Sequence, residues 1–315
     1  MQRSRLGRSD LMVPRLCFGG NVFGWTVDAA MSHRLLDGLV EAGLNFVDTA
    51  DVYSKWAPGN QGGESESILG AWMKARGNRD RMIVATKVGS EMGPGMKGLG
   101  KTYILKAVDA SLRRLQTDYI DLYQSHWDDP ETPVEETLAA YQDLIKAGKV
   151  RVVGASNFTL ARMQAALDAH RRDGLPRYES LQPEYNLCER AGFESDLAAF
   201  CRANEIGVIT YFSLAGGFLT GKYRSAADLA KSARGEDVAK YLNARGERIL
   251  AALDAVAAET QATPTRVALA WLMAQPVVTA PIASATSPAQ LQELIAATQL
   301  HLDADTVSRL AQASE

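Results

Sequence analysis

The stretch FVDTADVY, residues 46–53, begins like a buried strand and ends in residues suited to proton transfer. It carries a carboxylate at Asp48 and a phenol at Tyr53, and two further candidates follow at Lys87 and His126. A phenol has a pKa of about 10 and is a poor acid–base group at neutral pH unless that value falls. An ammonium about 4 Å away, at an effective dielectric of about 20, stabilises a phenolate by about 4 kcal/mol, or roughly three pKa units. Lys87 alone, if the fold places it beside Tyr53, could therefore bring the pKa of the phenol to about 7, and Asp48 would offset part of that gain while keeping Lys87 charged and in place.

Each of these residues, taken singly, also has an ordinary structural explanation. An aspartate at the end of a strand is most often a helix N-cap. An isolated tyrosine or lysine is usually a surface or packing residue, and an isolated histidine is usually solvated or satisfied by a neighbour. Catalysis becomes the better interpretation only if the fold brings all four side chains to one place.

Eight short apolar runs alternate with helical patterns along the chain. Most of the runs are continuously apolar, as strands covered on both faces should be. Between them apolar residues recur at helical spacing, as in residues 30–43, which end at Gly43. Thr-Pro pairs at 132–133 and 263–264 predict two helix starts, the first with Thr132 as N-cap, Pro133 as its first residue and Gly148 as C-cap. The predicted strands are 15–20, 45–49, 82–88, 120–126, 150–156, 180–185, 207–213 and 277–284.

Eight strands that alternate with helices in 315 residues predict a closed α/β barrel, the (β/α)8 TIM barrel. Residues 4–14 predict a short β-hairpin before the first barrel strand. No linker or low-complexity segment divides the sequence, so residues 1–315 are predicted to form a single barrel domain.

In such a barrel the active site lies at the carboxyl ends of the strands. Asp48, Lys87 and His126 fall at or near the ends of the second, third and fourth predicted strands. Polar or aromatic residues also fall in or at the ends of the next three strands, at Ser156, Asn157, Gln182 and Tyr211. The barrel would therefore bring residues spread over more than 160 positions onto one rim.

The sequence resembles the aldo-keto reductase superfamily over nearly its whole length. The resemblance lies in GLNFVDTADVY, IVATKVG, DYIDLYQSHWDD, VVGASNF, LQPEYN and TYFSLAGGFLTGKY, which occur in the same order and spacing. It implies a nicotinamide-dependent oxidoreductase that interconverts carbonyl compounds and alcohols. It also implies a catalytic tetrad of Asp48, Tyr53, Lys87 and His126. In that tetrad Tyr53 would be the general acid/base, Lys87 would lower its pKa, Asp48 would hold Lys87, and His126 would bind the substrate oxygen.

The same resemblance implies a site for a nicotinamide dinucleotide. Ser156, Asn157 and Gln182 would bind the nicotinamide carboxamide, and Tyr211 would stack on its ring. The glycines of the following loop would let backbone approach the pyrophosphate closely, although a flexible connection is the ordinary interpretation of such a loop. The loop residues implied to cover the pyrophosphate are Ser213, Leu214, Gly216, Leu219 and Lys222.

The region after the eighth strand bears on the choice between NADP(H) and NAD(H). Many relatives that use NADPH carry a basic residue there, followed by a glutamine and an asparagine. Here no arginine or lysine lies around 284–287, and Leu294 stands about where the asparagine would be. Ser284, Thr286 and Gln290 remain as candidate ligands of a 2′-phosphate. NADP(H) is therefore favoured by family precedent, and NAD(H) is possible.

Three tryptophans follow or adjoin predicted strand-end loops, at Trp25, Trp56 and Trp127. Packing in the core is the usual fate of tryptophan. Because two of them lie among polar loop residues, we expect some of the three to line a substrate pocket.

The composition limits which binding partners and which cellular compartment are expected. A net charge of −3 gives no reason to expect nucleic acid or an anionic membrane as a partner. No apolar run approaches the roughly 18 residues of a membrane span, and no metal site is expected. Cys17, Cys188 and Cys201 are few and scattered, which indicates buried thiols in a reducing, cytoplasmic location. The expected partner is a small-molecule carbonyl compound or alcohol, and the oligomeric state stays open.

Two other functions remain open at the level of sequence. Some relatives of this fold are regulatory subunits of membrane channels that use the bound cofactor as a sensor, and steady turnover of an aldehyde would argue against that role. A Schiff-base aldolase on the same barrel would use Lys87 as its nucleophile. The aldolase would not explain Tyr211 or the glycine-rich loop.

Overall fold

A two-stranded antiparallel hairpin opens the part of the chain described by the computed structural model, residues 2–315. Its strands are β1 (Arg3–Arg5) and β2 (Met12–Pro14). The buried Leu6, Leu11 and Val13 of this hairpin pack against the inward-facing side chains at the start of the barrel strands. This confirms the hairpin predicted before the first barrel strand. The hairpin closes the amino-terminal end of the barrel and leaves the carboxyl ends of the strands uncovered by it.

Eight parallel strands form a closed barrel in which each strand pairs with the next along the chain and the last pairs with the first. This arrangement confirms the predicted (β/α)8 TIM barrel. Several strands are shorter than predicted, and the sixth ends before Pro183, which has no N–H to donate to a neighbour. The strands are β3 (Cys17–Gly19), β4 (Phe46–Asp48), β5 (Ile83–Val88), β6 (Ile120–Ser125), β7 (Val150–Ser156), β8 (Ser180–Gln182), β9 (Gly207–Thr210) and β10 (Val278–Ala283).

Twelve α-helices occur in residues 2–315, and the longer ones cover the outside of the barrel. Among these residues no helix combines the length and the apolarity that a membrane span requires. The helices are α1 (Ala29–Glu41), α2 (Glu64–Arg76), α3 (Lys101–Leu115), α4 (Val134–Lys146), α5 (Leu160–Asp173), α6 (Ala191–Glu194), α7 (Leu197–Ala203), α8 (Gly235–Val238), α9 (Ala244–Thr260), α10 (Pro264–Met273), α11 (Pro288–Ala297) and α12 (Ala304–Ala313).

The two predicted Thr-Pro helix starts have different outcomes. Thr263 caps α10 and accepts a hydrogen bond from the backbone of Arg266, as expected. The prediction for α4 was wrong by one residue, because Pro133 is the N-cap and the helix begins at Val134. The Thr132 hydroxyl instead donates to the Asp129 carboxylate at 2.7 Å, so it is not available to cap the helix. The end of α4 is also shifted by one, since Ala147 is the C-cap and Gly148 follows it with a φ of +71°.

The alternation of side chains along each strand decides which residues enter the barrel. On β5, Ile83 and Ala85 pack inside the barrel, and Lys87 follows two positions later on the same face. On β4 the same alternation places Phe46 and then Asp48 inside. The lower layers of the interior are apolar, and the layer at the carboxyl ends of the strands is charged and polar. The fold thus places the candidate catalytic side chains at the end of the barrel opposite the hairpin.

Candidate active site

Asp48, Tyr53 and Lys87 form one hydrogen-bonded unit at the carboxyl end of the barrel. The Lys87 Nζ donates to Asp48 Oδ2 at 2.6 Å, to the Tyr53 hydroxyl at 2.7 Å and to the Thr49 carbonyl at 2.9 Å. These three acceptors use all three N–H groups of the ammonium, which is completely buried. The Tyr53 hydroxyl also lies 3.1 Å from Asp48 Oδ2. The structure therefore brings these three predicted residues into direct contact.

His126 follows β6 directly and lies beside Tyr53. Its backbone N–H donates to the Val88 carbonyl at 2.8 Å, which ties this position to the end of β5. The ring centroids of His126 and Tyr53 are 6.0 Å apart with the ring planes at 73°. Its Nδ1 is 3.0 Å from the Ser90 hydroxyl, so Nε2 carries the proton if Ser90 donates. Burial, with a smaller effect of the Lys87 charge, lowers the pKa of His126 well below its usual value, which makes the imidazole neutral at neutral pH.

The pKa of Tyr53 does not follow the simple expectation from Lys87. Removal of the phenol from water raises its pKa well above the ordinary value, and the Asp48 carboxylate raises it further. The prediction that Lys87 brings this pKa near neutral was wrong, because burial of the phenol and the neighbouring Asp48 carboxylate raise the pKa. Tyr53 is therefore a protonated phenol at neutral pH, which is the state that a proton donor requires.

Two glutamine side chains hold the other oxygen of Asp48. Gln182 donates from Nε2 to Asp48 Oδ1 at 2.9 Å and to Gln124 Oε1 at 3.2 Å. Gln124 donates to the same Asp48 oxygen at 3.3 Å. Gln182 was predicted as a nicotinamide ligand, and in this structure its amide supports Asp48. Gln124 was not predicted, although its place two residues before His126 on the inner face of β6 was the available signal.

The other residues predicted to bind nicotinamide form a chain of hydrogen bonds next to His126. Asn157, with a φ of +57°, donates to the His126 carbonyl and to the Ser156 hydroxyl, both at 3.0 Å. The Tyr211 hydroxyl donates to Asn157 Oδ1 at 2.8 Å, and its ring is partly exposed at the mouth. The Ser156 hydroxyl donates to the Gln182 carbonyl at 2.9 Å. Positive φ at a non-glycine residue is uncommon and is often found at functional sites.

The glycine-rich loop after β9 folds as a short 3-10 turn, Ala215–Thr220, that is broken at two glycines. Gly216 and Gly217 have φ values of +67° and +102°. The positive φ of Gly217 favours glycine there, and a Cβ at this position would lie 3.3 Å from the Lys222 Nζ. Ser213 is buried and its hydroxyl donates to the Thr210 carbonyl at 3.1 Å, whereas Leu214 is partly buried. Leu219 lies in the core, so it offers only its backbone to a ligand.

The loop after β10 is held by internal hydrogen bonds. The Ser284 hydroxyl donates to Asn21 Oδ1 at 2.7 Å. The Thr286 N–H and hydroxyl lie 2.8 and 3.1 Å from Gln290 Oε1. Ser287 caps α11. Residues 284–294 contain no arginine or lysine, so this loop presents only hydroxyl, amide and backbone groups as possible hydrogen-bond donors.

Comparison with known proteins decides the family. A model of the Aldo/keto reductase family matches residues 15–315. The chain is 34% identical to the uncharacterized oxidoreductase YrpG of Bacillus subtilis, over 98% of this chain and 95% of that protein. It is 31% identical to protein tas of Escherichia coli, over 98% and 96% of the two chains.

The chain belongs to the aldo/keto reductase family. This confirms the resemblance on which the prediction of an oxidoreductase rested. As a class, members of this family use NAD(P)H and act on small-molecule carbonyl compounds. The chain is also 33% identical to a probable voltage-gated potassium channel subunit beta of Arabidopsis thaliana, over 93% of this chain and 90% of that protein.

The three predicted tryptophans of this aldo-keto reductase lie around the tetrad. Trp25 and Trp56 meet edge to face with centroids 5.6 Å apart, and Trp56 is 5.9 Å from the Tyr53 ring. Trp127 stacks on His126 at 6.1 Å with the ring planes at 17°. Trp56 and Trp127 are 49% and 53% exposed, so an apolar surface lies open beside the tetrad.

One cation of this site was not predicted from the sequence. The Arg234 guanidinium lies 5.2 Å from the Trp25 ring. It is also close enough to Tyr53 to act on the pKa of that phenol, which it lowers. Arg234 lies in an irregular stretch without periodicity, so no pattern in the sequence indicated where its side chain would be.

Proposed function

We propose that this aldo-keto reductase reduces small-molecule aldehydes, ketones or sugars with NAD(P)H, and that Tyr53 is the general acid/base. The observation that carries the proposal is the direct contact of the Tyr53 hydroxyl with both the Lys87 ammonium and the Asp48 carboxylate. A buried phenol in this setting can lose its proton to a substrate oxygen and remain bound to a fixed cation.

In the proposed reaction the chain's own residues handle the proton. The bound nicotinamide would supply the hydride to the carbonyl carbon. As negative charge develops on the substrate oxygen, Tyr53 transfers its proton to that oxygen, and the Lys87 ammonium stabilises the phenolate that remains. Asp48 holds Lys87 in place through the 2.6 Å contact. His126, neutral and aligned by Ser90, donates a second hydrogen bond to the same oxygen.

The residues beside the tetrad fit a dinucleotide. A partly exposed aromatic ring at Tyr211 offers a stacking surface, and Asn157 and Ser156 offer polar groups next to it. The glycine backbone at 216–217 together with the Lys222 ammonium suits a pyrophosphate, because Lys222 is exposed and has no carboxylate within ion-pair distance among residues 2–315. These residues would hold the nicotinamide and the phosphates, respectively.

Stacking on Tyr211 makes a testable prediction for dinucleotide affinity. Replacing Tyr211→Ala should weaken binding of both NADPH and NADH by about 0.5–1.5 kcal/mol, because an aromatic pair contributes that much beyond buried area. Tyr211→Phe is the matched control, since it keeps the ring and loses only the hydrogen bond to Asn157. Fluorescence titration of each purified variant measures the effect. Equal affinity of Tyr211→Ala and the parent protein would remove this ring from the site.

The loop after β10 makes a second prediction, which concerns selectivity. Without a guanidinium, the hydroxyls and the amino-terminal amides of α11 bind a 2′-phosphate weakly. We expect NADPH to be preferred over NADH by only about 10- to 100-fold, a gap of about 1.4–2.8 kcal/mol. The variant Thr286→Arg adds a cation at an exposed position of this loop. It should widen the difference in affinity between NADPH and NADH, because it supplies the missing charge-assisted hydrogen bonds. A parent preference above about a thousandfold would show that a basic residue from elsewhere reaches the phosphate.

A second function is supported by one specific observation, the 33% identity to a probable voltage-gated potassium channel subunit beta. Such a protein would bind the dinucleotide as a sensor without significant turnover. The two functions differ in one measurable quantity, since only the enzyme oxidises NAD(P)H steadily when a panel of aldehydes, ketones and sugars is supplied. The exposed Trp56 and Trp127 beside the tetrad favour the enzyme over the sensor, because they offer a surface for a substrate.

The aldolase alternative fits the geometry poorly. A Schiff-base lysine needs a free lone pair on its Nζ. Lys87 instead directs its Nζ to three acceptors, one of which is a carboxylate, which leaves no position around the nitrogen open to a carbonyl carbon. We also propose a cytoplasmic location, because Cys17, Cys188 and Cys201 are all buried and unpaired, as is usual in a reducing compartment.

A further inference from the structure

Asp51 is a buried carboxylate that the proposed reaction does not use. It follows β4 and precedes Tyr53 by two residues, and its side chain lies in the protein interior with the whole residue only 2% exposed. Neither of its carboxylate oxygens has a hydrogen-bond partner among residues 2–315. A polar group that is buried without a partner is uncommon in folded proteins, so this one calls for a physical explanation.

The other three carboxylates that are buried to the same degree in the described part of the chain each have a cation beside them. These pairs are Asp48 with Lys87 at 2.6 Å, Glu66 with Arg114 at 2.6 Å, and Asp121 with Arg79 at 2.8 Å and Arg151 at 2.9 Å. Burial of a charge without a counter-charge is so unfavourable that the group takes up a proton instead. The position of Asp51 therefore favours the neutral carboxylic acid.

The groups around Asp51 keep its carboxyl neutral at neutral pH. Burial, and after it the Glu66 carboxylate on α2, raise its pKa to about 8. The charges of Arg114 on α3 and Lys87 on β5 lower this pKa without cancelling that effect, as does the N–H of Val52, which lies outside hydrogen-bond geometry. The remaining titratable neighbours are phenols that stay protonated, because burial raises their pKa values. They are Tyr103 on α3, Tyr123 on β6 and Tyr141 on α4.

The backbone around Asp51 is tied to Lys87, the residue whose ammonium contacts the Tyr53 phenol. The Asp51 N–H donates to the Lys87 carbonyl at 3.3 Å, and the Thr49 carbonyl accepts from the Lys87 ammonium at 2.9 Å. A charged Asp51 would be repelled by the Glu66 carboxylate and would gain free energy by moving towards water. Movement of this segment would change the 2.7 Å contact between Lys87 and the phenol.

We propose that Asp51 is a positioning residue for Tyr53: its neutral carboxyl lets residues 49–53 pack against the barrel, and loss of its proton displaces that segment and the phenol with it. This inference rests on the proposed function and adds to it a loss of turnover at alkaline pH. Neither His126 nor Tyr53 changes its charge between pH 7 and pH 9. Burial holds the pKa of the first well below its usual value and that of the second well above its usual value.

The test compares the parent protein with Asp51→Asn, which keeps the size of the side chain and cannot ionise. The measured quantity is kcat at saturating NADPH and 4-nitrobenzaldehyde, at pH 7 and at pH 9. A group with a pKa of about 8 is roughly 90% protonated at the lower pH and roughly 10% at the higher, so kcat of the parent should fall by about tenfold. In Asp51→Asn it should change by less than about twofold. The same tenfold fall in Asp51→Asn would overturn the proposal.

Asp121→Asn is the matched control. It makes the same change at a buried carboxylate near the hairpin, where Arg151 joins Asp121 to Asp10. The alkaline fall in kcat should persist in this variant, because Asp121 lies far from the 49–53 segment along β6. Its disappearance would show that the loss of any buried carboxylate abolishes the effect, which would contradict a specific role of Asp51.

A further variant moves the pKa of Asp51 without altering its side chain. Glu66→Gln removes the carboxylate that raises this pKa and releases Arg114, whose charge lowers it. Asp51 should then lose its proton at lower pH, so the fall in kcat should begin at lower pH than in the parent. A residue that only fills space would not respond in this way, and an unshifted profile would contradict the proposal.

The position of Tyr53 is measured without turnover by NMR on protein labelled with 13C at Cζ of tyrosine. The Tyr53 signal is identified by its absence from Tyr53→Phe. It should shift between pH 7 and pH 9 in the parent and stay in place in Asp51→Asn. If the parent protein reduces no carbonyl compound, the proposed function fails, yet this titration still tests Asp51. If the parent reduces 4-nitrobenzaldehyde equally fast at both pH values and its Tyr53 signal does not move, only the inference fails. That outcome needs no variant, so it decides the matter even if Asp51→Asn does not fold.

Discussion

Tyr53→Phe is expected to lower kcat for carbonyl reduction by about 100- to 10,000-fold, the usual contribution of general acid–base catalysis. The variant removes only the hydroxyl that contacts Lys87 and Asp48. His126 does not replace the Tyr53 hydroxyl as the acid. Burial lowers the pKa of His126, so its imidazole is neutral at neutral pH and donates a hydrogen bond without releasing a proton. The Kd for NADPH should stay within about twofold, since this phenol does not hold the dinucleotide. Steady-state kinetics and fluorescence titration on the same preparation measure both effects.

Tyr123→Phe is a suitable control for that experiment. The Tyr123 hydroxyl is buried and has no hydrogen-bond partner among residues 2–315, so its loss should cost neither a hydrogen bond nor activity. Retention of most of the activity in Tyr53→Phe would show that the acid–base group has been wrongly assigned.

Lys87→Met is expected to have the second largest effect, on both activity and stability. The ammonium no longer stabilises the phenolate, an interaction of up to about 4 kcal/mol before the offset by Asp48, so we expect kcat to fall by about 100- to 1,000-fold. Without the cation the pKa of Tyr53 should rise further. Alcohol oxidation requires the phenolate, so its residual rate should move to higher pH, and reduction should persist to higher pH. An unchanged pH profile would mean that Lys87 does not tune the phenol.

The stability effect follows from the buried position of the pair. Lys87 and Asp48 are 0% and 2% exposed, so removing the cation leaves a carboxylate buried without its counter-charge. Breaking such a pair costs about 3–5 kcal/mol in the free energy of unfolding. The double variant Asp48→Asn with Lys87→Met should recover part of this loss and none of the activity. Lys101→Met, which breaks the exposed pair with Asp143, should cost less than about 1 kcal/mol. Urea denaturation at neutral pH compares the four proteins.

The barrel and the tetrad could be predicted because they depend on local periodicity and on strand order. Continuous apolar runs identified the strands, and placing residues at the carboxyl ends of consecutive strands was enough to bring Asp48, Lys87 and His126 to one rim. The choice among possible catalytic roles came from the family resemblance. No residue pattern by itself would have separated Tyr53 from an ordinary strand-end tyrosine.

What could not be predicted depends on contacts between distant segments. Thr132 precedes a proline, as an N-cap residue often does, yet its hydroxyl donates to Asp129. Only the folded loop shows that Asp129, and not the helix backbone, is its partner. The pKa of Tyr53 depends first on how deeply the fold buries the phenol and then on the Asp48 carboxylate beside it. Arg234 reaches Trp25 through an irregular connection whose path is set by tertiary packing. Loops of this kind carry no periodic signal.

The most direct test of the proposed function follows a deuterium atom from the cofactor. The protein is incubated with NADPH fully deuterated at C4 of the nicotinamide and with a panel of aldehydes, ketones and sugars, and the products are analysed by mass spectrometry and NMR. We predict an alcohol that carries one deuterium on the former carbonyl carbon, formed by the parent protein and by Tyr123→Phe and nearly absent with Tyr53→Phe. A parent protein that binds NADPH but yields no deuterated alcohol from any member of the panel would contradict the proposed function.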